Sequence, residues 1–491
     1  MEASPGPPAE IAETHISVVA MVGDRAYKLL KPVALGFLDH RTREARLAAC
    51  RRETEVNRRF APDVYLGVLD VIDEHGAPVD HLVAMRRMPA SRRLSSLLGD
   101  PGAAEAVRAV ARHVAALHRA APRSAAIAAA GRPEAVLGLW EEGLGQLADA
   151  AAGVLAPGEV ERCGALARRY LDGRGPLLER RIADGWVRDG HGDLLADDVF
   201  LLEDGPRVLD CLAFDDRLRH GDVLADVAFL AMDLEARGRA DLAALLVSGW
   251  RAALGERHPA SLEHHYVAYR AHVRAKVAAL RAGQGDPAAA ARARRLHALA
   301  LARLERAQVR LVLVGGAPGT GKSTLAAGLA AAGGWTVVRS DVVRKDAEGL
   351  PHAPADAVPF GEGRYAPAAT ERVYGLMLRA AADALALGES VVLDASWSSA
   401  ARREAARRLA RRAGAGLAEL RCAVPPGVAA ERVRLRRARA EGPSDATPAI
   451  AERLAAAADP WPEAAVVDTA GPPGAALAAA HALLEGAPRP G

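Results

Sequence analysis

A chain of 491 residues that is half apolar and a quarter charged exceeds one ordinary core and is too apolar for disorder, so two or three globular domains are expected. A formal charge of +3 gives no strong nucleic-acid signal, and no apolar run approaches the roughly 18 residues that a membrane-spanning helix requires, so no membrane association is expected. Four scattered cysteines (Cys50, Cys163, Cys211 and Cys422) with no CxxC pair argue against a disulfide framework or a zinc site and for a reducing, cytoplasmic setting.

The basic residues are strongly skewed, with 59 arginines, five lysines (Lys28, Lys31, Lys276, Lys322 and Lys345) and a single asparagine, Asn57. Under such a bias a retained lysine marks a place where a compact ammonium is needed. A missing asparagine, by the same reasoning, carries less weight than elsewhere.

In chain order, the opening MEASPGPPAE has neither a basic start nor an apolar core, so residues 1–10 read as a disordered tail and not a signal peptide. Residues 15 to 90 fall into short β-like runs, HISVVAMV, RAYKLLKPV, VYLGVLDVI and HLVAMRRM, interrupted from about 38 to 60 by an Arg/Glu-rich helical stretch. Lys28 and Lys31 share one run, and a solvated edge strand guarded by lysines is the plain alternative to a ligand role. From 101 to 185 the pattern is helical. HGDLLADDVFLLEDGPRVLDCLAFDD (191–216) follows, in which VFLL and RVLD read as a hairpin across EDGP. Pairing 199–202 with 207–210 brings Asp198 opposite the Asp210–Cys211 end and lets Asp193 approach the same point. Three converging carboxylates suit Mg²⁺ and a base: Asp193 as base, Asp198 and Asp210 as metal ligands. His191 and His118 read as structural hydrogen-bonding groups.

Helices continue to a Gly/Asp/Pro break and a linker helix at 286–308, after which strands and helices alternate: RLVLVGG, TVVRSD, SVVLDAS, AELRCAV and AAVVDTAG. GGAPGTGKST contains Gly316-x-x-x-x-Gly321-Lys322-Ser323 between a strand and a helix, the context in which backbone N–H groups of Gly316, Ala317, Pro318, Gly319, Thr320 and Gly321 (less the N–H that proline lacks) curl around phosphates. Lys322 is placed for the β and γ phosphates, Ser323 for Mg²⁺, and Thr324 completes the motif. Asp341 reads as the end of the next strand and a base for an attacking hydroxyl, with Arg344 one turn on as a clamp. Asp394, ending VVLD, suits Mg²⁺ or substrate. Helix N-capping is the alternative for both aspartates. No glutamate follows Asp394, which favours transfer to a substrate over hydrolysis. An arginine-rich helix from 431 reads either as a solvated face or as a lid whose Arg436 or Arg437 closes over the phosphates.

GxxxxGKST, SDVVRK, VVLDAS and RLRR…SDAT together make residues 309–480 resemble small P-loop kinases of the polynucleotide-kinase and gluconate-kinase type. The resemblance implies ATP and Mg²⁺ as cofactors, a small-molecule or 5′-hydroxyl acceptor, and acceptor-binding elements in RYAPAATERVYGLM (364–377). A kinase-like amino-terminal lobe needs a strand lysine and a helix glutamate, supplied by Lys28 and Glu53 (Glu55 the less favoured), with HLVAMRRMP as the adenine-holding hinge. ETHISVVAMVGDRAYKLLKPV, NRRFAPDVYLGV and DVLADVAFLAMDLE complete a resemblance of the chain to bacterial two-domain proteins that fuse an aminoglycoside-phosphotransferase-like domain to a P-loop kinase. Leu195 and Asp198 stand where that family's loop has His and Asn. The expected fold is α/β plus α+β: a two-lobed protein-kinase-like domain at 11–285, then a P-loop parallel sheet flanked by helices at 309–485. The expected function is ATP-dependent phosphotransfer to a hydroxyl. The alternative is a nucleotide-dependent switch with a pseudokinase amino-terminal domain, against which a base and clamp at Asp341 and Arg344 argue.

Overall fold

The structure, a computed structural model, describes residues 10–14, 16–35, 38–150, 153–352, 361–439 and 447–486. Residues 1–9 of the expected tail 1–10 and residues 440–446 of the arginine-rich lid tract lie outside the described residues, while Glu10, expected in the tail, opens a strand. The chain forms two compact units, one of residues 1–164, 178–258 and 263–303, the other of 165–177, 259–262 and 304–491. Among the described residues no helix is long and apolar enough to cross a membrane.

The first unit opens with an antiparallel five-stranded sheet, ordered Glu10–Glu13, Ser17–Val22, Arg25–Leu30, Pro78–Arg86, Tyr65–Ile72. Strand alternation puts Ala26, Lys28 and Leu30 on one face, and Ala26 and Leu30 are buried there with Cys50 of the helix Arg43–Asn57. That helix starts where Thr42 accepts a hydrogen bond from the Ala45 N–H at 3.1 Å. It is shorter than the predicted 38–60, because Leu38–Asp39 pair with Ala34–Leu35 in a small ladder of their own. One turn beyond Cys50, Glu53 shares its buried face and meets Lys28, so the sheet–helix packing sets the Lys–Glu distance. Lys31 falls just past the strand and pairs with Glu13.

The rest of this unit is helical. Helix Ala103–Ala120 packs on Ala240–Leu254, and helix Val223–Ala236 is buried at every position from Val223 to Leu234. A helix hydrophobic on all sides belongs in an interior, and the acids Asp226 and Asp233 within it then require partners.

The second unit is a five-stranded parallel sheet, ordered Thr336–Arg339, Val391–Asp394, Arg310–Gly315, Gly416–Ala423, Ala465–Asp468, the five runs read from the sequence. Val312, Val314, Val392 and Leu420 are buried against Leu325 and Leu329 of the helix Lys322–Gly333. Near-continuous Val/Leu runs of this kind are what a sheet covered on both faces demands.

Candidate active sites

In the second unit the central strand ends at Gly315, the loop 316–321 turns over it, and the helix begins at Lys322. Gly316, Gly319 and Gly321 have φ of +132°, +84° and +85°. A Cβ on Gly319 would lie 2.3 Å from the Ala429 carbonyl oxygen, and one on Gly316 2.7 Å from that of Cys422, so the path of the loop excludes side chains there. Thr320 Oγ1 and Lys322 Nζ both donate to the Ala317 carbonyl, at 2.8 and 3.0 Å, and Thr469 Oγ1 donates to the Thr320 carbonyl at 2.6 Å. Pro318 sits in the same loop; Ser323 and Thr324 lie in the first helical turn, Ser323 half-buried and Thr324 exposed. Burial lowers the pKa of the Lys322 ammonium, while the carboxylates of Asp394 and Asp341, both within electrostatic reach, work the other way.

Asp394 closes its strand at 4 % exposure and lies 3.3 Å from Arg339 Nε. Asp341 requires a correction: the parallel ladder stops at the Arg339–Asp394 pair, and Asp341 belongs to the first turn of the helix Ser340–Glu348, not to the strand end. It is still within electrostatic reach of the loop lysine. Its Oδ1 accepts from Arg344 Nη1 at 3.0 Å, and the buried Arg344 guanidinium lies over the Tyr365 ring at 4.5 Å. The tract 364–377 thus begins beside the Asp341–Arg344 pair. It continues as the helix Pro367–Ala386, whose Tyr374 Oη lies 3.1 Å from Ser396 Oγ, just past Asp394.

Of the lid arginines, Arg436 lies on the helix Pro426–Ala438 and pushes electrostatically on Lys322. Its Nε and Nη2 are buried without a hydrogen-bond partner. Two buried guanidinium nitrogens with unmatched donor positions in electrostatic reach of the loop lysine suit an anionic ligand. The Arg437 side chain lies outside the described residues.

In the first unit Lys28 Nζ lies 2.8 Å from Glu53 Oε1 and 3.3 Å from Asp210 Oδ1. Burial opposes the Lys28 charge, yet Asp210 and Glu53 outweigh it and hold its pKa well above the usual lysine value. Lys28 in turn lowers the pKa of Asp210, whose side chain is 63 % exposed. Glu55 points to solvent and bonds Arg52 instead. The hairpin register differs from the predicted one: Val199–Leu202 pairs with Gly205–Val208, because Glu203-Asp204 make a two-residue turn with Gly205 at φ +125°. Asp210 therefore lies beyond the ladder, in a left-handed conformation at φ +61°, while the Asp198 carbonyl accepts from the Leu209 N–H at 2.9 Å. The carboxylates still converge. Burial and then Asp210 and Asp193 raise the pKa of Asp198 strongly, and burial raises that of Asp193 against the pull of Arg274.

Among the described residues no group of three or more His, Cys, Asp or Glu side chains forms a protein-only metal cage. Two oxygen donors at each site, the carboxylates of Asp198 and Asp210 and the Ser323 hydroxyl with the Asp394 carboxylate, are nonetheless what Mg²⁺ takes when phosphates and water complete its shell.

Three positioning residues escaped the sequence reading. Asp226 accepts from the backbone N–H groups of His191 at 2.5 Å and Gly192 at 2.9 Å, and Asp233 from that of Ala196 at 3.1 Å. Seven residues apart on one buried helix, they hold both ends of the loop that carries Asp193. Asp226 is braced by His118: Trp250 Nε1 donates to His118 Nδ1 at 3.0 Å, which leaves the proton on Nε2, 3.4 Å from Asp226. His191 is buried with Nε2 on the Leu209 carbonyl, a structural role. Asn57, the single asparagine, accepts from the Cys211 N–H at 2.7 Å and donates to the carbonyls of Cys211 and Glu53, tying the Glu53 helix to the residue after Asp210. The lysine argument applied to Asn57 is the signal that would have found it.

A glycine-cradled loop between strand and helix defines a P-loop domain, and a Lys–Glu–Asp constellation beneath a five-stranded sheet defines a protein-kinase-like region. In agreement, residues 311–461 match the model of the AAA domain family. The chain is also similar to the GDP and kanamycin complex of APH(2")-IIia, 14 % identical over 61 % of this chain and 94 % of that one with a TM-score of 0.39. A gluconokinase from Sinorhizobium meliloti 1021 is 22 % identical over 36 % of this chain and 94 % of its own, with a TM-score of 0.26. The chain belongs to the family of the uncharacterized protein Rv2004c of Mycobacterium tuberculosis, to which it is 42 % identical over 464 residues, covering 94 % of this chain and 93 % of that one.

Proposed function

We propose that the protein is an ATP-dependent phosphotransferase whose P-loop unit moves the γ-phosphate of ATP to a hydroxyl acceptor. The observation that carries this reading is the glycine loop that holds Lys322, with the Asp394 and Asp341 carboxylates in electrostatic reach of that ammonium and two buried Arg436 nitrogens without a hydrogen-bond partner. The glycine loop and Lys322 hold the phosphates, and Arg344 fixes the Asp341 carboxylate. The acceptor O–H gives its proton to Asp341 as its oxygen bonds to the γ-phosphorus. The bond from that phosphorus to the bridging oxygen breaks, and the electron pair leaves with ADP. Ser323 and Asp394 would hold Mg²⁺, which neutralises phosphate charge when bound. A switch would need no carboxylate beside the γ-phosphate, and Asp341 is therefore the residue that favours transfer.

In the first unit the same reading gives Lys28 to the phosphates with Glu53 orienting it, Asp198 and Asp210 to Mg²⁺, and Asp193 to the acceptor proton. The test is transfer of labelled γ-phosphate by the full chain to pools of sugars, nucleosides, aminoglycosides and 5′-hydroxyl oligonucleotides. A labelled product that disappears in Asp341→Asn supports the reading. Release of free phosphate alone, unchanged in that variant, contradicts it.

A further inference from the structure

Beside the loop that carries Asp193, the first unit holds a cavity of about 600 Å³ whose lining includes Asp197, Asp233 and Glu235 but also Arg237, Arg274, Arg292 and Arg295. A smaller space of about 230 Å³ shares Arg274, Arg292 and Arg295 and adds Arg281. The acids are all engaged. Asp197 accepts from Ser95 and Arg237, Asp233 from Arg237 and the Ala196 N–H, and Glu235 pairs with Arg303. Asp286, on the rim, caps the helix Pro287–Ala307 through the Ala288 N–H at 3.0 Å. Arg237 and Arg303 are thereby used up, and four guanidiniums remain. Arg274 lies 3.9 Å from Asp193 Oδ1, while Arg281, Arg292 and Arg295 have no ion pair among the described residues.

The surplus is built by two helices. Arg274 and Arg281 are seven apart on Ala260–Gly283, and Arg292 and Arg295 three apart on Pro287–Ala307, so each pair shares a helix face. A solvated arginine face is the plain reading in a chain so rich in arginine. Other arginines here, however, recruit acids: Arg407 bonds Glu419, Arg402 bonds Glu371, and Arg434 bonds Glu431. Arg281, Arg292 and Arg295 converge without one, and burial together with the positive neighbours Arg274, Arg237 and Arg281 outweighs Asp233 and lowers the pKa of Arg292. Like charges gathered in a concavity repel one another and are relieved by a bound anion.

We infer that the acceptor of the first unit is an anionic small molecule, a hydroxyl compound bearing a phosphate or carboxylate, whose hydroxyl lies at Asp193 and whose anion is gripped by Arg274, Arg281, Arg292 and Arg295. Planar guanidinium forks match both anions, and a cationic amino sugar would meet repulsion in the same place. This rests on the reading of Asp193 as the acceptor's base; the arginine cavity itself does not.

The experiment is calorimetric binding to the full chain carrying Lys322→Ala, which silences the phosphate loop, using one scaffold with four charges: glucose 6-phosphate, glucuronate, glucose and glucosamine. The phosphate or the carboxylate form is expected to bind at least about tenfold tighter than glucose, glucosamine weakest. Arg292→Ala with Arg295→Ala, both exposed and without partners, is expected to remove that preference about tenfold while leaving thermal unfolding unchanged. Comparing the two anions tells a phosphate site from a carboxylate site. If neither anion binds below about 10 mM, if the double variant binds both as well as its parent, or if only a 5′-hydroxyl oligonucleotide binds, the inference is overturned. Arginine-dependent anion binding without transfer from ATP in wild-type protein leaves the cavity assignment standing and removes the role given to Asp193.

Discussion

Asp198→Asn isolates one charge at the amino-terminal site. Asp198 is pressed by Asp210, Asp193 and Asp197 and opposed by Arg274, and burial adds to the pressure, so its pKa is raised far above the ordinary 3.8. Between those two values the folded chain keeps a proton that the unfolded chain has lost, so wild-type stability falls as pH rises through the window. Asparagine has no such proton to lose. A like-charge pair at roughly 6 Å and an effective dielectric of about 20 repels by about 3 kcal/mol. The Asp210 and Asp193 side chains are partly open to water, and about 1 kcal/mol is the effect expected after screening, which is roughly 2–4 °C for a unit of this size. The assay is thermal unfolding from pH 4 to 8 with hydrogen exchange read at residues 190–212. The variant is expected to match wild type near pH 4 and to gain stability and exchange protection as pH rises. A variant less stable than wild type at pH 8, or a gap that does not change with pH, refutes the reasoning.

Asn57→Ala leaves the Cys211 N–H and carbonyl without their partner in the interior and is expected to cost about 2–4 kcal/mol in denaturant unfolding. Mg-ATP binding by the first unit is expected to weaken with it, measured by calorimetry in a Lys322→Ala background. Arg436→Ala removes a buried guanidinium with two unmatched nitrogens, so unliganded stability is expected to hold or rise while the transfer rate falls about 10- to 1000-fold. Asp341→Asn is expected to cost about 10²- to 10⁴-fold in transfer rate with ATP affinity nearly unchanged, seen by comparing single-turnover rates with equilibrium binding.

The phosphate loop was legible because its chemistry is written in consecutive residues: glycines where φ is positive, a lysine, and a hydroxyl. Lys28 and Glu53 were legible because a kinase-like lobe needs a strand lysine and a helix glutamate, and the fold brings the two together beside Cys50 and Leu30. The hairpin register was not, because Gly205 at φ +125° makes a two-residue turn where EDGP suggests four. Asp341 was misplaced by two residues for a related reason, since a helix that starts at Ser340 leaves the same side chain within electrostatic reach of the same lysine. Asp226 and Asp233 were hidden by their helix: two acids in an apolar run announce that they are buried but not which backbone they hold. The arginine cavity could not be read at all. It forms where two helices separated by a short break come side by side, and in a chain with 59 arginines no single one stands out.

The measurement that tests the central claim most directly is the fate of the γ-phosphate in the full chain and in Lys322→Ala, followed with labelled ATP and a mixed acceptor pool. Lys322 is the ammonium at the end of the glycine loop, within electrostatic reach of Asp341 and Asp394. The account predicts a phosphorylated acceptor whose formation falls at least about 100-fold in the variant, with the fold intact by circular dichroism. An acceptor phosphorylated as fast by Lys322→Ala as by wild type would contradict it.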